Sequence, residues 1–236
     1  MLRVPLDLEG AASTIELPAE SARYVLRVHR LSVGDAFVAF DPIAKTEADA
    51  TLVSIERDRA AVRLSLSRPS TRLPRRRVTL FQGLAKAEKM DAIVRDATEL
   101  GATAIVAVRL ARSIPSQKSD AALARWRRVA VEAARQCGRG DVPEIGAPVA
   151  LDEALDADVA LRWALAPDAE RSLAEIAREA PKDAAVGIFV GPEGGFDREE
   201  LDRLGQRGAV FARLGAFVLR TETAATAALG VLAATA

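Results

Sequence analysis

The sequence predicts an α/β protein in which a small β-barrel precedes a larger domain with a parallel sheet covered by helices on both faces. Two observations support this fold class. Residues 1–67 contain closely spaced short strand patterns with turn signals between them, which is typical of a small barrel. From Val78 onward, apolar strands alternate with amphipathic helices, the pattern of a parallel sheet.

The segment between these two patterns marks a domain boundary. It extends from Arg68 to Arg77 and contains two prolines and five arginines, so no regular element can continue through it. We therefore predict a first domain of residues 1–70 and a second domain of residues 71–236.

The first domain is predicted to contain one short helix and three strands. Pro18 begins a helical stretch that continues to about Val28. The strands are expected at Ala36 to Phe40, Ala48 to Ile55 and Ala60 to Leu66, because apolar residues alternate there and a charged turn separates the last two.

The second domain is predicted to alternate strictly between strands and helices. Its strands are expected at Val78–Phe81, Ile105–Val108, Val159–Leu165, Ala185–Val190 and Val210–Leu214. Its helices are expected at Lys86–Leu100, Ala121–Cys137, Arg171–Ala180, Arg198–Arg207 and Ala224–Ala236. Apolar residues three and four apart define the helices, and Gly101 is placed to end the first of them.

Composition excludes several classes of site. One Cys and one His cannot supply the roughly four ligands of a structural zinc site, and one Cys cannot form an internal disulfide, so we expect no metal and a cytoplasmic location. The N-terminus lacks the apolar core of a signal peptide. The longest apolar stretch, Ala224 to Ala236, is shorter than the roughly 20 residues that span a bilayer, so no membrane contact is expected.

Charge is unevenly distributed along this neutral chain. The 33 basic and 33 acidic residues cancel, but residues 71–140 carry a net charge of +9 between segments of −1 and −8. A basic block favours contact with RNA phosphates. A solvated helix face is an equally good explanation for part of it, since Arg128 and Glu132 are spaced to form an ion pair.

Two segments are candidates for chemistry. The first, Val190 to Asp197, is a glycine-rich turn between an apolar strand and a helix, where open parallel sheets bind ligands. It lacks the Gly-Lys-Ser/Thr ending of a phosphate-binding loop. The second, Leu214 to Ala225, holds Arg220 and Glu222 among apolar residues. Each segment also has a purely structural explanation, as a tight turn or as an ion pair beside a helix cap.

Taken together, the two segments resemble a known family. GPEGGF at Gly191–Phe196 and LGAFVLRTETAA at Leu214–Ala225 are similar to the paired C-terminal signatures of the RsmE-type 16S rRNA (uracil-N3) methyltransferases, in the SPOUT superfamily. Upstream, FQGLAK at Phe81–Lys86, TELG at Thr98–Gly101 and EAARQCGR at Glu132–Arg139 stand in family-like order and spacing. The N-terminal third matches more loosely and resembles the family's PUA-like RNA-binding barrel.

This resemblance implies a SPOUT domain with a deep trefoil knot that binds S-adenosylmethionine (SAM), the methyl donor. The residues that it assigns to the donor pocket lie in three loops of the second domain. They are Leu165, Ala166, Gly191, Pro192, Glu193, Gly194, Leu214, Gly215, Val218, Leu219, Arg220, Thr221 and Thr223.

The reaction implied is methyl transfer from a sulfonium to N3 of a uridine. Because the N3 proton must leave, a cation that stabilises the uracil anion should help. Arg220 is our candidate for this catalytic role or for orienting the donor, and Glu222 is the candidate partner of Arg220 or proton acceptor.

The expected partners are the 16S rRNA of the small ribosomal subunit and a second copy of the chain in a homodimer. The candidate RNA-binding residues are basic and lie in both domains. They are Arg3, Arg23, Arg27, Arg30, Lys86, Lys89, Arg112, Arg135 and Arg139.

Rival functions are a non-catalytic RNA-binding assembly factor with the same fold and a nucleotide-binding enzyme that uses the glycine-rich turn for phosphates. The first predicts no donor binding, and the second is disfavoured by the missing Lys. A Ser-His-Asp hydrolase is excluded because no Gly-x-Ser-x-Gly occurs.

Overall fold

The computed structural model describes residues 2–8, 13–113 and 120–236, which fall into two units. The first unit comprises residues 1–73 and 134–142, and the second comprises residues 74–133 and 143–236. Residues 134–142, which the sequence predicts to lie in the second domain, thus group with the first unit. The chain enters that unit a second time, which no local pattern indicates.

The first unit is built on a six-stranded sheet. Its strands are β1 (Arg3–Pro5), β2 (Thr14–Glu16), β3 (Ala36–Asp41), β4 (Thr46–Glu56), β5 (Arg59–Leu64) and β6 (Arg68–Pro69). Helix α1 (Ala19–Arg23) continues as a π-helical turn, Tyr24–Val28. The strand order is β1-β3-β4-β5-β2, with β6 beside β4, and only the β1–β3 pair is parallel.

This sheet is open, whereas the sequence predicts a barrel. Strands β1 and β2 are its two edges, and no ladder joins them within the described residues. Each edge strand has only three residues, which leaves few backbone groups to close the sheet. Its core contains the fully buried Val25, Leu52 and Val62.

The second unit is built on a parallel sheet, as predicted, but the sheet has seven strands where the sequence predicts five. Its strands are β7 (Val78–Gly83), β8 (Ala104–Arg109), β9 (Glu144–Ile145), β10 (Val149–Ala150), β11 (Leu161–Leu165), β12 (Val186–Val190) and β13 (Val210–Ala212). They are ordered β10-β8-β7-β12-β11-β13, with β9 beside β8, and every pair is parallel.

Helices cover both faces of this sheet. Consecutive residues such as Leu80 and Phe81 point to opposite faces, and both are buried. The helices are α2 (Ala87–Glu99), α3 (Asp120–Cys137), α4 (Leu151–Leu155), α5 (Leu173–Glu179), α6 (Arg198–Gln206) and α7 (Thr221–Thr235). The last four residues of α3 belong to the first unit. None of the helices in the described part of the chain has the length and apolarity needed to cross a membrane.

Local sequence explains where the helices of the second unit begin and end. Helix α6 begins at a capping box in which Asp197 accepts from the Glu200 N–H and Glu200 accepts from the Asp197 N–H. After α2, Gly101 adopts a left-handed φ of 87°, which ends the helix as predicted. These boundaries fix where the loops at the carboxyl edge of the sheet start.

Candidate active site

A cavity of about 530 Å³ opens at the carboxyl ends of β11, β12 and β13, which are neighbouring strands. Its volume lies within the roughly 300–1,000 Å³ of small-molecule sites. Two loops form most of the wall: the first loop (Gly191–Phe196) follows β12, and the second loop (Leu214–Arg220) leads into α7. The two glycine-containing segments of the sequence therefore meet at one site, as ligand sites of open parallel sheets do.

The residues that the resemblance assigns to the donor pocket line this cavity, with one exception. Thr223 is not part of the wall and is exposed on α7. The wall also contains residues that the sequence analysis did not assign to the pocket: Lys89, Pro167, Asp168, Val190, Gly195, Phe196, Leu201, Ala212, Arg213, Phe217 and Ala224. Gly195, Phe196, Phe217 and Ala224 stand within the two motifs, so their position could have identified them.

Close backbone packing shapes the first loop. The Gly195 N–H donates to the Pro192 carbonyl at 2.9 Å, and Gly195 has a φ of 68°. A Cβ on Gly191 would lie 3.0 Å from the Gly195 backbone. Glycine is therefore required where this turn closes on itself.

A fully buried amide connects the first loop to the beginning of α7. The Thr221 hydroxyl donates to the Gly191 carbonyl at 2.6 Å. Gln82, at the end of β7, donates from Nε2 to Thr221 Oγ1 at 2.9 Å and to the Gly191 carbonyl at 3.3 Å. Thr221 is thus held from both sides at the cavity wall.

Lys89 lies between two acidic residues, Glu193 of the first loop and Glu222 in the first turn of α7. Its Nζ is 3.5 Å from Glu193 Oε1 and 3.3 Å from Glu222 Oε2. The expected pairing of Glu222 with Arg220 is therefore wrong: Glu222 pairs with Lys89, which reaches it from α2. No distinctive local sequence marks Lys89 for this position, since it is remote from both acidic residues along the chain.

Opposing effects act on the carboxyl of Glu193. Burial alone would raise its pKa, but hydrogen bonds from its own backbone N–H and from the Lys86 N–H, together with the charge of Lys89, lower the pKa below its ordinary value of 4.5. Glu193 is therefore an anion at neutral pH.

The other candidate catalytic residue, Arg220, is exposed and precedes the first residue of α7. Within the described residues, its guanidinium forms neither an ion pair nor a hydrogen bond. Beside it in the second loop, the side chains of Phe217 and Val218 are 84% and 80% exposed. This part of the rim thus presents the cation of Arg220 and an apolar surface to an incoming molecule.

The candidate RNA-binding residues differ in their accessibility. Arg23, Arg27, Arg30 and Lys86 are exposed, and Arg27 pairs with Asp58. Arg112 is also exposed, but it donates to the carbonyls of Gly194 at 2.7 Å and Phe196 at 3.3 Å and so supports the first loop.

Three further candidates are engaged inside the first unit. Arg3 is 6% exposed and pairs with Glu47 at 2.8 Å, and Arg139 is 7% exposed and pairs with Asp141 at 2.8 Å. Their guanidinium groups are not presented to solvent, which argues against direct contact with RNA. Arg135 is half-buried over the ring of Tyr24.

Comparison with known proteins identifies the family. The RNA methyltransferase domain matches residues 71–233. The ribosomal RNA small subunit methyltransferase E of Mycobacterium bovis is 32% identical over 236 residues, covering 94% of this chain and 86% of that protein. The Bacillus subtilis protein of the same name is 29% identical over 232 residues, covering 94% and 90%. This chain belongs to the ribosomal RNA small subunit methyltransferase E family.

Solved structures of similar proteins include members with the methyl donor bound. The family member from Neisseria gonorrhoeae, bound to S-adenosyl methionine, superposes with a TM-score of 0.88 at 28% identity, covering 97% of this chain and 95% of that one. A protein from Legionella pneumophila, in complex with the bound cofactor SAM, has a TM-score of 0.89 at 29% identity, covering 99% and 97%.

The cavity fits such a donor. Leu165, Leu214 and Leu219 supply apolar surface for a flat base, and the glycines of both loops leave backbone groups accessible. A Cβ on Gly195 or Gly215 would meet no atom within 4 Å, so both residues border open space. Among the described residues, no cluster of His, Cys, Asp and Glu could hold a metal ion.

Proposed function

We propose that this chain transfers a methyl group from SAM to N3 of one uridine in the 16S rRNA of the small ribosomal subunit. The supporting observation is the cavity formed by the two family motifs at the carboxyl edge of the parallel sheet. Membership in the methyltransferase E family and the donor-bound structures of similar proteins support the same reaction. A non-catalytic assembly factor is disfavoured because twelve of the thirteen predicted donor-pocket residues line the cavity.

The donor pocket of this proposal consists of the predicted residues that line the cavity, from Leu165 to Thr221. When bound, SAM supplies a methyl group that its positive sulfur already activates. The residues of the cavity wall would therefore act mainly by binding and orienting SAM, since an activated methyl group needs alignment with its acceptor.

Arg220 is proposed as the catalytic residue that stabilises negative charge on the uracil ring as the N3 proton leaves. Its exposed guanidinium at the rim, which pairs with no acidic side chain in the described part of the chain, supports this role. Glu222 is held by Lys89, and this ion pair favours a positioning role for Glu222 over proton acceptance. The proton then passes to solvent.

RNA contact is proposed for the exposed basic residues Arg23, Arg27, Arg30 and Lys86, with Arg112 beside the first loop. These residues would neutralise phosphates, while the sheet of the first unit recognises RNA shape. A PUA-like role for this unit is proposed from the family resemblance, with an open six-stranded sheet in place of a barrel.

Three finer features of the proposal follow the family resemblance. A trefoil knot in the second unit is proposed from the family resemblance. The apolar α7 supports a homodimer. The cytoplasm is the proposed location because the substrate is ribosomal RNA.

The test is methylation of purified small subunits and of free 16S rRNA with isotope-labelled SAM, followed by nucleoside mass spectrometry. We expect 3-methyluridine at one position with the wild-type protein and none with Gly194→Val, whose side chain would meet Arg112. A folded protein that binds no donor, with or without RNA, would refute the proposal in favour of the assembly factor.

A further inference from the structure

We infer that Gln82 and Lys89 are positioning residues that hold the first loop to the beginning of α7, where the second loop ends, and thereby set the affinity for the methyl donor. Both lie in the segment from the end of β7 to the first turn of α2, outside the two loops themselves. The inference rests on the proposed function, because it takes SAM as the ligand of the cavity.

Gln82 makes the inner connection, and its orientation is determined by its neighbours. Nε2 faces three acceptors: the Gly83 carbonyl at 3.0 Å, the Thr221 hydroxyl at 2.9 Å and the Gly191 carbonyl at 3.3 Å. The Thr221 hydroxyl gives its own proton to Gly191, so it accepts from Gln82. If the amide were reversed, Oε1 would face these three acceptors and could not donate to them. The Gln82 amide must therefore point its nitrogen toward them.

The position of Gln82 makes this connection costly to lose. Gln82 is fully buried and Thr221 is 5% exposed, so bulk water cannot replace the missing donor at the Thr221 hydroxyl without opening the packing. The first loop and the first residue of α7, which the Thr221–Gly191 hydrogen bond joins directly, are therefore also held by one side chain from β7.

Lys89 makes the outer connection at the cavity wall. Without its ammonium, the carboxylates of Glu193 and Glu222 would lose the cation that lies between them, and their repulsion would push the loop regions apart. The side chains of Lys89, Glu193 and Glu222 are 27%, 27% and 25% exposed, so solvent only partly screens these charges. Glu222 Oε2 is buried and has no well-aligned hydrogen bond within the described residues, so the charge of Lys89 compensates it.

Both connections join the first loop to the beginning of α7. Gln82 does so in the interior and Lys89 does so at the surface. If either is removed, donor binding must order loops that are otherwise held in advance, and the affinity falls. This function differs from the RNA contact that the sequence predicts for Lys89. The two roles can be separated by measuring donor and RNA affinities independently.

Calorimetric titration of the full-length chain with SAM tests the inference, with RNA affinity and thermal unfolding measured on the same samples. Lys89→Met should raise the donor dissociation constant at least about fivefold and leave RNA affinity unchanged. Arg198→Met is the control: it removes one positive charge from a side chain on α6 that is 93% exposed and lies outside the cavity wall, and it should leave donor affinity unchanged. Gln82→Met should raise the dissociation constant for SAM by a similar factor or more.

A charge exchange separates a specific contact from general damage to the fold. Lys89→Glu places three carboxylates together and should weaken SAM binding more than Lys89→Met does. Adding Glu222→Lys restores an opposite charge beside position 89 and should recover part of the affinity. Because Lys89 is partly exposed, these variants can be tested even if Gln82→Met does not fold.

The outcomes distinguish this inference from the proposed function. Wild-type protein that fails to bind SAM would refute both. Wild-type protein that binds SAM, with Lys89→Met binding it equally well or losing only RNA affinity, would refute the positioning role alone. Absence of any recovery in the charge exchange would also count against it.

Discussion

Single side chains in this protein derive their roles from burial and from neighbours that lie far away in the sequence. Arg3 and Glu47 illustrate this in the first unit. Both are nearly inaccessible to solvent, and their 2.8 Å ion pair brings together β1 and β4. Ser70 donates to the same carboxylate at 3.3 Å. Arg3 is thus part of the framework of this sheet, although its charge alone made it a candidate for RNA contact.

Stability should depend on the protonation of Glu47. Burial alone would raise its pKa, but the hydrogen bond and charge of Arg3, with the charge of Arg68 and the hydrogen bond from Ser70, lower the net pKa below 4.5. A lowered folded pKa means that the stabilisation is complete above about pH 4.5 and is lost as the pH falls through the folded value. Glu47→Gln should therefore make the unfolding free energy less dependent on pH below this point.

At neutral pH, Glu47→Gln should cost about 3 kcal/mol, since it leaves the buried Arg3 without a counter-charge. Denaturant titrations at a series of pH values measure both effects. Glu16→Gln is the control, because Glu16 also pairs with an arginine but does so at the surface. This control variant should change the unfolding free energy little. Equal losses in the two variants would contradict the role of burial.

At the scale of elements, the positions of the loops depend on close approaches between strand ends. Gly83 ends β7 directly beside the first loop, where an added Cβ would lie 2.5 Å from Pro192 Cδ and 2.6 Å from its backbone nitrogen. No side chain fits there without moving the backbone of the loop. The end of β7 therefore acts as a support for the donor site.

Gly83→Ala should displace the first loop, cost about 1–3 kcal/mol in unfolding free energy and weaken SAM binding. Gly146→Ala provides a matched comparison, because a Cβ on Gly146 meets no atom within 4 Å. Calorimetry and denaturant titration on both variants measure the two effects. Unchanged donor affinity in Gly83→Ala would show that the loop tolerates the displacement.

Elements with strong periodicity could be predicted from the sequence, and short ones could not. The long strands of both units and helices α2, α3 and α6 have buried residues at regular spacing, so their boundaries were predicted within a few residues. Strands β1, β2 and β6 have two or three residues and form through their pairing partners. The motif residues of the cavity were predictable from their order, whereas the contacts of Gln82 and Lys89 were not, since these contacts depend on the sheet order.

At the scale of the whole molecule, a net charge of zero coexists with an expected affinity for RNA. Net charge describes long-range attraction, whereas RNA contact depends on the cations that replace counterions at individual phosphates. Arg23 and Arg30 are exposed in the described part of the first unit, while the acidic residues of 141–236 lie elsewhere in the sequence. Local charge should therefore determine how binding responds to salt.

RNA affinity should fall steeply with salt concentration, and each phosphate contact should contribute about 0.7–0.9 to the slope of log K against log salt. Arg23→Met should weaken binding and lower that slope by about this amount. Arg198→Met is the control: its side chain is 93% exposed on α6, outside the candidate RNA residues, so the slope should stay the same. Filter-binding or anisotropy titrations at several salt concentrations provide the slopes. If Arg23→Met left the slope unchanged, Arg23 would not be a phosphate contact, and RNA binding would have to depend on the other exposed cations.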